Sequence, residues 1–157
     1  MRVGVGYDVH PLREGRALII GGVRIEHATG LEGHSDADVL THAVIDSVLG
    51  AAGLGDIGAH FPPDDARYRG ASSLELLSEA AKVVATAGYR VVNVDSTVVA
   101  QAPRLGSHLG EMARNIARGL GLDIAAVSVK ATSPEGIGAL GEGEGIAAHA
   151  VALIEES

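Results

Sequence analysis

The chain opens Met1-Arg2-Val3-Gly4-Val5-Gly6-Tyr7-Asp8-Val9-His10, and the alternation of valine with glycine over residues 2–9 reads as a strand. Residues two apart on a strand share a face, so Asp8 and His10 stand side by side at its end. Gly4-x-Gly6 is not a dinucleotide fingerprint, because Val9 occupies the third glycine position and no helix follows.

The rest of the chain reads as alternating strands and helices. Residues 17–25 form a hairpin around Gly21-Gly22, and 27–34 a loop bearing glycine and histidine. Ser35, with Asp38 three residues on, starts a first helix whose apolar face runs to about residue 52. Residues 53–71 are irregular, and a loop of that length in a compact domain is usually functional or mobile. Ser72-x-x-Glu75 is a capping box for a second helix ending at Gly88. A strand over 90–101 puts Val92, Val94, Ser96, Val98 and Ala100 on one face. A helix over 107–120, a strand over 127–131 and a last strand from about 146 to 154 complete the order. This order predicts one α+β domain over 1–157, a two-layer sandwich with a mixed sheet and helices on one face. The other face carries Ala147, His149, Val151 and Leu153 in one register, a surface suited to packing against other subunits.

Composition narrows the chemistry. Aromatics are 3% of the 157 residues, so the core is built from Val, Ile, Leu and Ala. With no cysteine, a metal must be held by His, Asp or Glu. The net charge of −8 argues against a nucleic-acid partner and leaves local cations to hold any phosphate ligand. No leader-like start or membrane-length apolar run is apparent, and a cytoplasmic enzyme or binding protein is expected.

Four constellations carry candidate chemistry. Asp8-x-His10 with His42 supplies three mixed oxygen and nitrogen ligands, the set of a catalytic zinc with one open position. Asp38, His42 and Asp46 share a helix face, so one aspartate would orient His42. The plain alternatives are a surface Asp-His pair and a solvated helical histidine. At His34-Ser35, Ser35 caps a helix start that also suits a phosphate, and His34 is either a loop residue or a donor to that phosphate. In Gly55-Asp56-Ile57-Gly58, the aspartate is turn chemistry or part of a loop around a hydroxylated substrate. Phe61, the chain's only phenylalanine, is a core anchor or a pocket wall. Lys130-Ala131-Thr132-Ser133-Pro134-Glu135 is a polar turn or a phosphate site in which Glu135 holds a hard cation.

Together, G-Y-D-V-H at 6–10, H-S-D-A-D-V at 34–39 with His42, L-G-D-I-G at 54–58 with Phe61-Pro62, A-Q-A-P-R-L at 100–105, K-A-T at 130–132 with Glu135, and G-E-G at 143–145 resemble one family. It is the 2-C-methyl-D-erythritol 2,4-cyclodiphosphate synthases of the non-mevalonate isoprenoid pathway. The resemblance runs from residue 1 to about 155. It implies a phosphorus-oxygen lyase that closes 4-diphosphocytidyl-2-C-methyl-D-erythritol 2-phosphate to the cyclic diphosphate and releases CMP. It implies zinc on Asp8, His10 and His42, and magnesium or manganese on Glu135. His34 and Ser133 match the transition-state stabilisers. Val9, Ser35, Asp56, Ile57, Gly58, Phe61 and Asp65 match the methylerythritol side. Ala100, Pro103, Arg104, Leu105, Gly106, Thr132 and Ser133 match the cytidine nucleotide side. It implies a ferredoxin-like homotrimer with sheets facing the threefold axis and sites between subunits.

Four positions depart from the family's pattern. Ser133 keeps the hydroxyl of the usual threonine, and is not among them. Arg104 replaces a common lysine, and Pro63 a frequent aspartate. Ala139 and Glu142 replace an aromatic and an arginine that line the family's central cavity, so a bound isoprenoid diphosphate is not expected there. The rivals are a metal-dependent phosphohydrolase, separated by product analysis, and a nucleotide-binding regulator without turnover, which would need no metal site and keep its ligand without His42, where the synthase would lose zinc and most activity.

Overall fold

The computed structural model describes residues 1–157. Seven strands run in chain order: β1 (Arg2–Glu14), β2 (Leu18–Ile20), β3 (Val23–Ile25), β4 (Thr29–Leu31), β5 (Tyr89–Val99), β6 (Val127–Thr132) and β7 (Gly145–Glu156). Five helices accompany them: α1 (Val39–Ala52), α2 (Ile57–His60), α3 (Ser73–Thr86), α4 (Leu109–Leu120) and α5 (Gly138–Gly141). The main sheet has the order β4-β1-β7-β5-β6 and is mixed: β5 and β6 are parallel, and the other pairs antiparallel. The fold is α+β, as the order of elements predicts. No helix is long and apolar enough to cross a membrane.

The glycines of β1 explain how α1 sits. Gly4 and Gly6 are buried and face the helix, and a Cβ on Gly4 would stand 2.0 Å from the Ser47 carbonyl oxygen. Across the ladder they pair with Ala152 and Ala150. A floor of such small residues lets the helix backbone rest directly on the sheet. Asp8 and His10 continue the same row, so α1 passes close over them. α4 covers β6, and α3 packs against α1, α4 and β5. The opposite face of the sheet is uncovered: Val3, Val5, Tyr7, Val9 and Val151 are each at least 45% exposed. Of the last-strand residues expected there, His149 and Val151 are exposed and Leu153 is half-buried, while Ala147 is covered.

Several boundaries differ from the sequence reading. α1 begins at Val39, and its cap is Asp38 rather than Ser35. Ser35 has φ 55°, outside the geometry of a helix start. Asp38 accepts from Thr41 N at 3.0 Å, Thr41 Oγ1 at 2.8 Å, Gly21 N at 2.8 Å and Gly22 N at 2.7 Å. One buried carboxylate thus caps the helix and pins the hairpin turn to it. The Ser72 side chain makes no cap bond at α3. β5 carries a bulge between Val91 and Asn93, so Val91 rather than Val92 enters the core; from Val94 onward the expected face holds. The loop at 27–34 contains β4, and the irregular stretch at 53–71 contains α2 and a 3₁₀ turn at 66–68.

Candidate active site

β1 and α1 bring Asp8, His10 and His42 together, with one ligand atom from each lying within 4.8 Å of the others. His10 Nε2 is 2.8 Å from Asp8 Oδ2, His42 Nδ1 is 3.0 Å from the same oxygen, and the two nitrogens are 3.2 Å apart. Burial alone would raise the Asp8 carboxyl, but the hydrogen bonds and charges of the two histidines outweigh it and hold the group well below the usual carboxylate range. Burial likewise works to lower the His10 imidazole, and the hydrogen bond and charge of Asp8 outweigh that and raise it.

The outer nitrogens are also engaged. His10 Nδ1 donates to the Glu32 carbonyl oxygen at 3.0 Å, so that in the neutral ring the lone pair is on Nε2. Gly33 makes room for this ring: a Cβ there would meet His10 Nδ1 at 2.4 Å. His42 Nε2 lies 2.9 Å from Ser73 Oγ and 3.1 Å from Ser35 Oγ. Two imidazole lone pairs and a carboxylate oxygen converge on one point, a donor set that fits a divalent cation. Neither neighbouring aspartate on α1 orients His42, contrary to expectation. Asp38 is spent on the cap and the hairpin, and Asp46 accepts from Ile57 N at 2.7 Å, which fastens the 54–61 loop to α1.

A cavity of about 210 Å³ opens beside the group, with His34, Ser35, Ile57, Gly58, Phe61 and Pro63 in its wall. Asp56 does not line it; it caps α2, accepting from Ala59 N at 2.9 Å. Phe61 is both a pocket wall and a packing residue, half-buried against the core with its ring edge-on to Tyr68 at 5.4 Å. Asp65 lies outside the wall, and the hydrogen bonds and charge of Arg67 hold its carboxyl below the usual range.

A second cavity, of about 730 Å³, gathers Ala100, Pro103, Arg104, Leu105, Gly106, Thr132 and Ser133, which the sequence separates into two stretches. Gln101 Oε1 accepts from Gly136 N at 3.0 Å and ties the two loops together. Ser133 Oγ accepts from Glu135 N at 3.0 Å, and Glu135 has φ 56° and is exposed beside this cavity's loop. Lys130 is paired with Asp95. Val9 pairs with Ala147, Ala147 with Val99, and Val99 with Thr132. The cation group and the second cavity therefore lie at the same end of the sheet but three strand spacings apart, about 14 Å.

Three donors of mixed type beside an open cavity fit a catalytic rather than a structural metal site. The chain is that of an enzyme whose candidate metal group stands beside one cavity, with a second, loop-built cavity at the same end of the sheet. It belongs to the YgbB family, whose model matches residues 1–155. It is 60% identical over 157 residues to the 2-C-methyl-D-erythritol 2,4-cyclodiphosphate synthase of Syntrophomonas wolfei, covering 100% of both chains. Among solved structures it is similar to a 2C-methyl-D-erythritol-2,4-cyclodiphosphate synthase in its CDP-bound form, with TM-score 0.89 and 34% identity over 98% of this chain and 100% of that one. It is also similar to the bifunctional IspDF of Campylobacter jejuni, with TM-score 0.95 and 42% identity; the match covers 99% of this chain but spans only 42% of that one.

Proposed function

We propose that the chain converts 4-diphosphocytidyl-2-C-methyl-D-erythritol 2-phosphate into 2-C-methyl-D-erythritol 2,4-cyclodiphosphate and CMP, in non-mevalonate isoprenoid synthesis. The observation that carries this is the Asp8, His10 and His42 group, set beside an open cavity in a chain that matches a synthase of that name end to end. An oxygen of the 2-phosphate attacks the β-phosphorus. As the new phosphorus–oxygen bond closes the ring, the bond from that phosphorus to the α–β bridging oxygen breaks, and CMP departs with the oxygen. The nucleophile is part of the substrate, so the protein's task is positioning and charge neutralisation.

Asp8, His10 and His42 would hold zinc, and Glu135 would hold magnesium or manganese. When bound, these cations neutralise phosphate charge and polarise the phosphorus under attack. The Glu32 carbonyl keeps the His10 proton on Nδ1 and its Nε2 lone pair free. Asp56, Ile57 and Gly58 hold the methylerythritol hydroxyls, with Asp46 fixing that loop through Ile57 N. Val9, Ser35, Phe61 and Asp65 complete that side. Ala100, Pro103, Arg104, Leu105 and Gly106 receive the cytosine largely through backbone groups, while Thr132 and Ser133 face the nucleotide phosphates. His34 and Ser133 donate to the transition state.

The active unit is a homotrimer of single-domain, ferredoxin-like chains with their sheets toward the threefold axis. Two features support it: the exposed apolar rows of β1 and β7, and the separation of the two half-sites within one chain. Apposition of subunits would bring the cation group of one against the nucleotide loops of the next. Mass analysis of the product tests the activity. The cyclic diphosphate with CMP is expected, whereas free phosphate or a linear product would make the chain a metal-dependent phosphohydrolase.

A further inference from the structure

We propose that Asp36 and Ser73 form a positioning pair that fixes the tautomer and aim of His42, and through them the affinity of the Asp8, His10, His42 group for a divalent metal. The inference rests on reading that group as a metal site.

A neutral imidazole carries one proton, and the nitrogen that bears it cannot bind a cation. His42 turns Nδ1 toward Asp8 and His10, and Nε2 toward the hydroxyl of Ser73 at 2.9 Å. Ser73 has a single hydroxyl proton to give. Its Oγ is in hydrogen-bonding contact with Asp36 Oδ1, and a carboxylate only accepts. The proton goes to Asp36, and Ser73 Oγ is left with lone pairs toward His42. Without a cation the Asp8 carboxylate, 3.0 Å from Nδ1, competes for the same proton; once a cation takes Asp8 and Nδ1, the proton belongs on Nε2 and Ser73 Oγ is the acceptor built to receive it.

Asp36 is itself fastened. Its Oδ2 accepts the Ser73 backbone N–H at 3.1 Å, and its Oδ1 accepts the Asp38 N–H at 3.2 Å. Ser73 is 0% exposed, so no solvent molecule replaces its hydroxyl. Ser35 Oγ, 3.1 Å from both His42 Nε2 and Ser73 Oγ, fits the same polarity by donating to Ser73. His10 meets its fixed acceptor in the Glu32 backbone. His42 meets its own through a side-chain relay that starts on the α1 approach loop and passes through the first residue of α3.

The test is a zinc titration of chelator-stripped protein against a chromophoric competing chelator, with histidine ¹⁵N NMR of the zinc-loaded protein. The starting protein should bind one zinc per chain and, when loaded, show His42 with its proton on Nε2. Ser73→Ala and Asp36→Asn should each weaken zinc binding by about 10–100-fold. Ser73→Thr, which keeps the hydroxyl, should stay close to the starting affinity. A starting protein that binds no zinc would overturn the metal reading. A loaded protein whose His42 keeps its proton on Nδ1 would overturn the positioning pair and leave the metal reading standing, and so would unchanged affinity in both Ser73→Ala and Asp36→Asn. The tautomer measurement needs no variant, so it decides even if the substitutions prevent folding.

Discussion

Gly6 of β1 lies directly beneath Ala43 of α1: a Cβ on the glycine would stand 1.9 Å from the Ala43 carbonyl oxygen. The obstructing atom belongs to helix backbone and cannot rotate away. His42 is the residue before Ala43, so the contact that seats the helix also sets the height of His42 above Asp8. Packing and metal geometry are one constraint here.

Gly6→Ala should therefore lift α1 from the sheet and spread the ligand group. Overpacking a close-fitted core typically costs about 1–3 kcal/mol, and a clash with backbone belongs at or beyond the upper end. Urea unfolding should show that loss, and zinc content after dialysis should fall with it. Wild-type stability in Gly6→Ala would show that the helix can yield without consequence.

The Asp8–His10 contact predicts two pH dependences of opposite sign. In metal-free protein the depressed Asp8 stabilises the fold above its ordinary value of 3.8, and this is lost as pH falls through the folded value. The raised His10 stabilises below its ordinary value of 6.5, and this is lost as pH rises through the folded value. Both contributions are present between those limits; Asp8's is lost in acid and His10's in alkali. Metal binding requires a neutral His10, so zinc affinity should rise over the range in which metal-free stability declines. Denaturant unfolding of stripped protein across pH checks the first trend, and His10→Ala should flatten it. Parallel trends in stability and zinc affinity would contradict the assignment.

These relationships were unequally legible in the sequence. The period of two in β1 placed Asp8 and His10 on one face, and the 34–42 motif supplied His42. The loops at 100–106 and 130–135 were identifiable as motifs, although only the parallel pairing of β5 with β6 merges them into one cavity. Ser35-x-x-Asp38 was misread because Ser and Asp are both good caps, and the choice between them depends on the hairpin amides that reach Asp38. Ser73 was hidden behind the capping box assigned to its neighbour Ser72, and its tie to Asp36 spans 37 residues. The bulge at Val91/Asn93 leaves no trace in a run of valines, where either register looks apolar.

His42→Ala separates catalysis from nucleotide capture. The residue touches Asp8, His10 and Ser73, none of which lines the cavity built from residues 100–109 and 131–133. Zinc should be lost, and turnover should fall by more than about a hundredfold, since even residues behind a metal ligand cost 10–100-fold. Affinity for CMP, read by calorimetry, should stay near the starting value. Retention of turnover without zinc would remove the metal group from the reaction.

Val5→Glu tests whether the uncovered sheet face joins subunits. Val5 is 70% exposed and pairs across the ladder with Val151, itself 45% exposed, so a glutamate there is harmless to an isolated chain. Buried among the same residues of two other chains around a threefold axis, it would bring like charges together without partners. Light scattering should give one chain's mass for the variant and three for the starting protein. The cation group and the nucleotide loops lie about 14 Å apart within a chain, so dissociation should abolish cyclisation while the metal site persists. A Val5→Glu protein that still forms trimers, or a monomer that still cyclises its substrate, would refute the shared site.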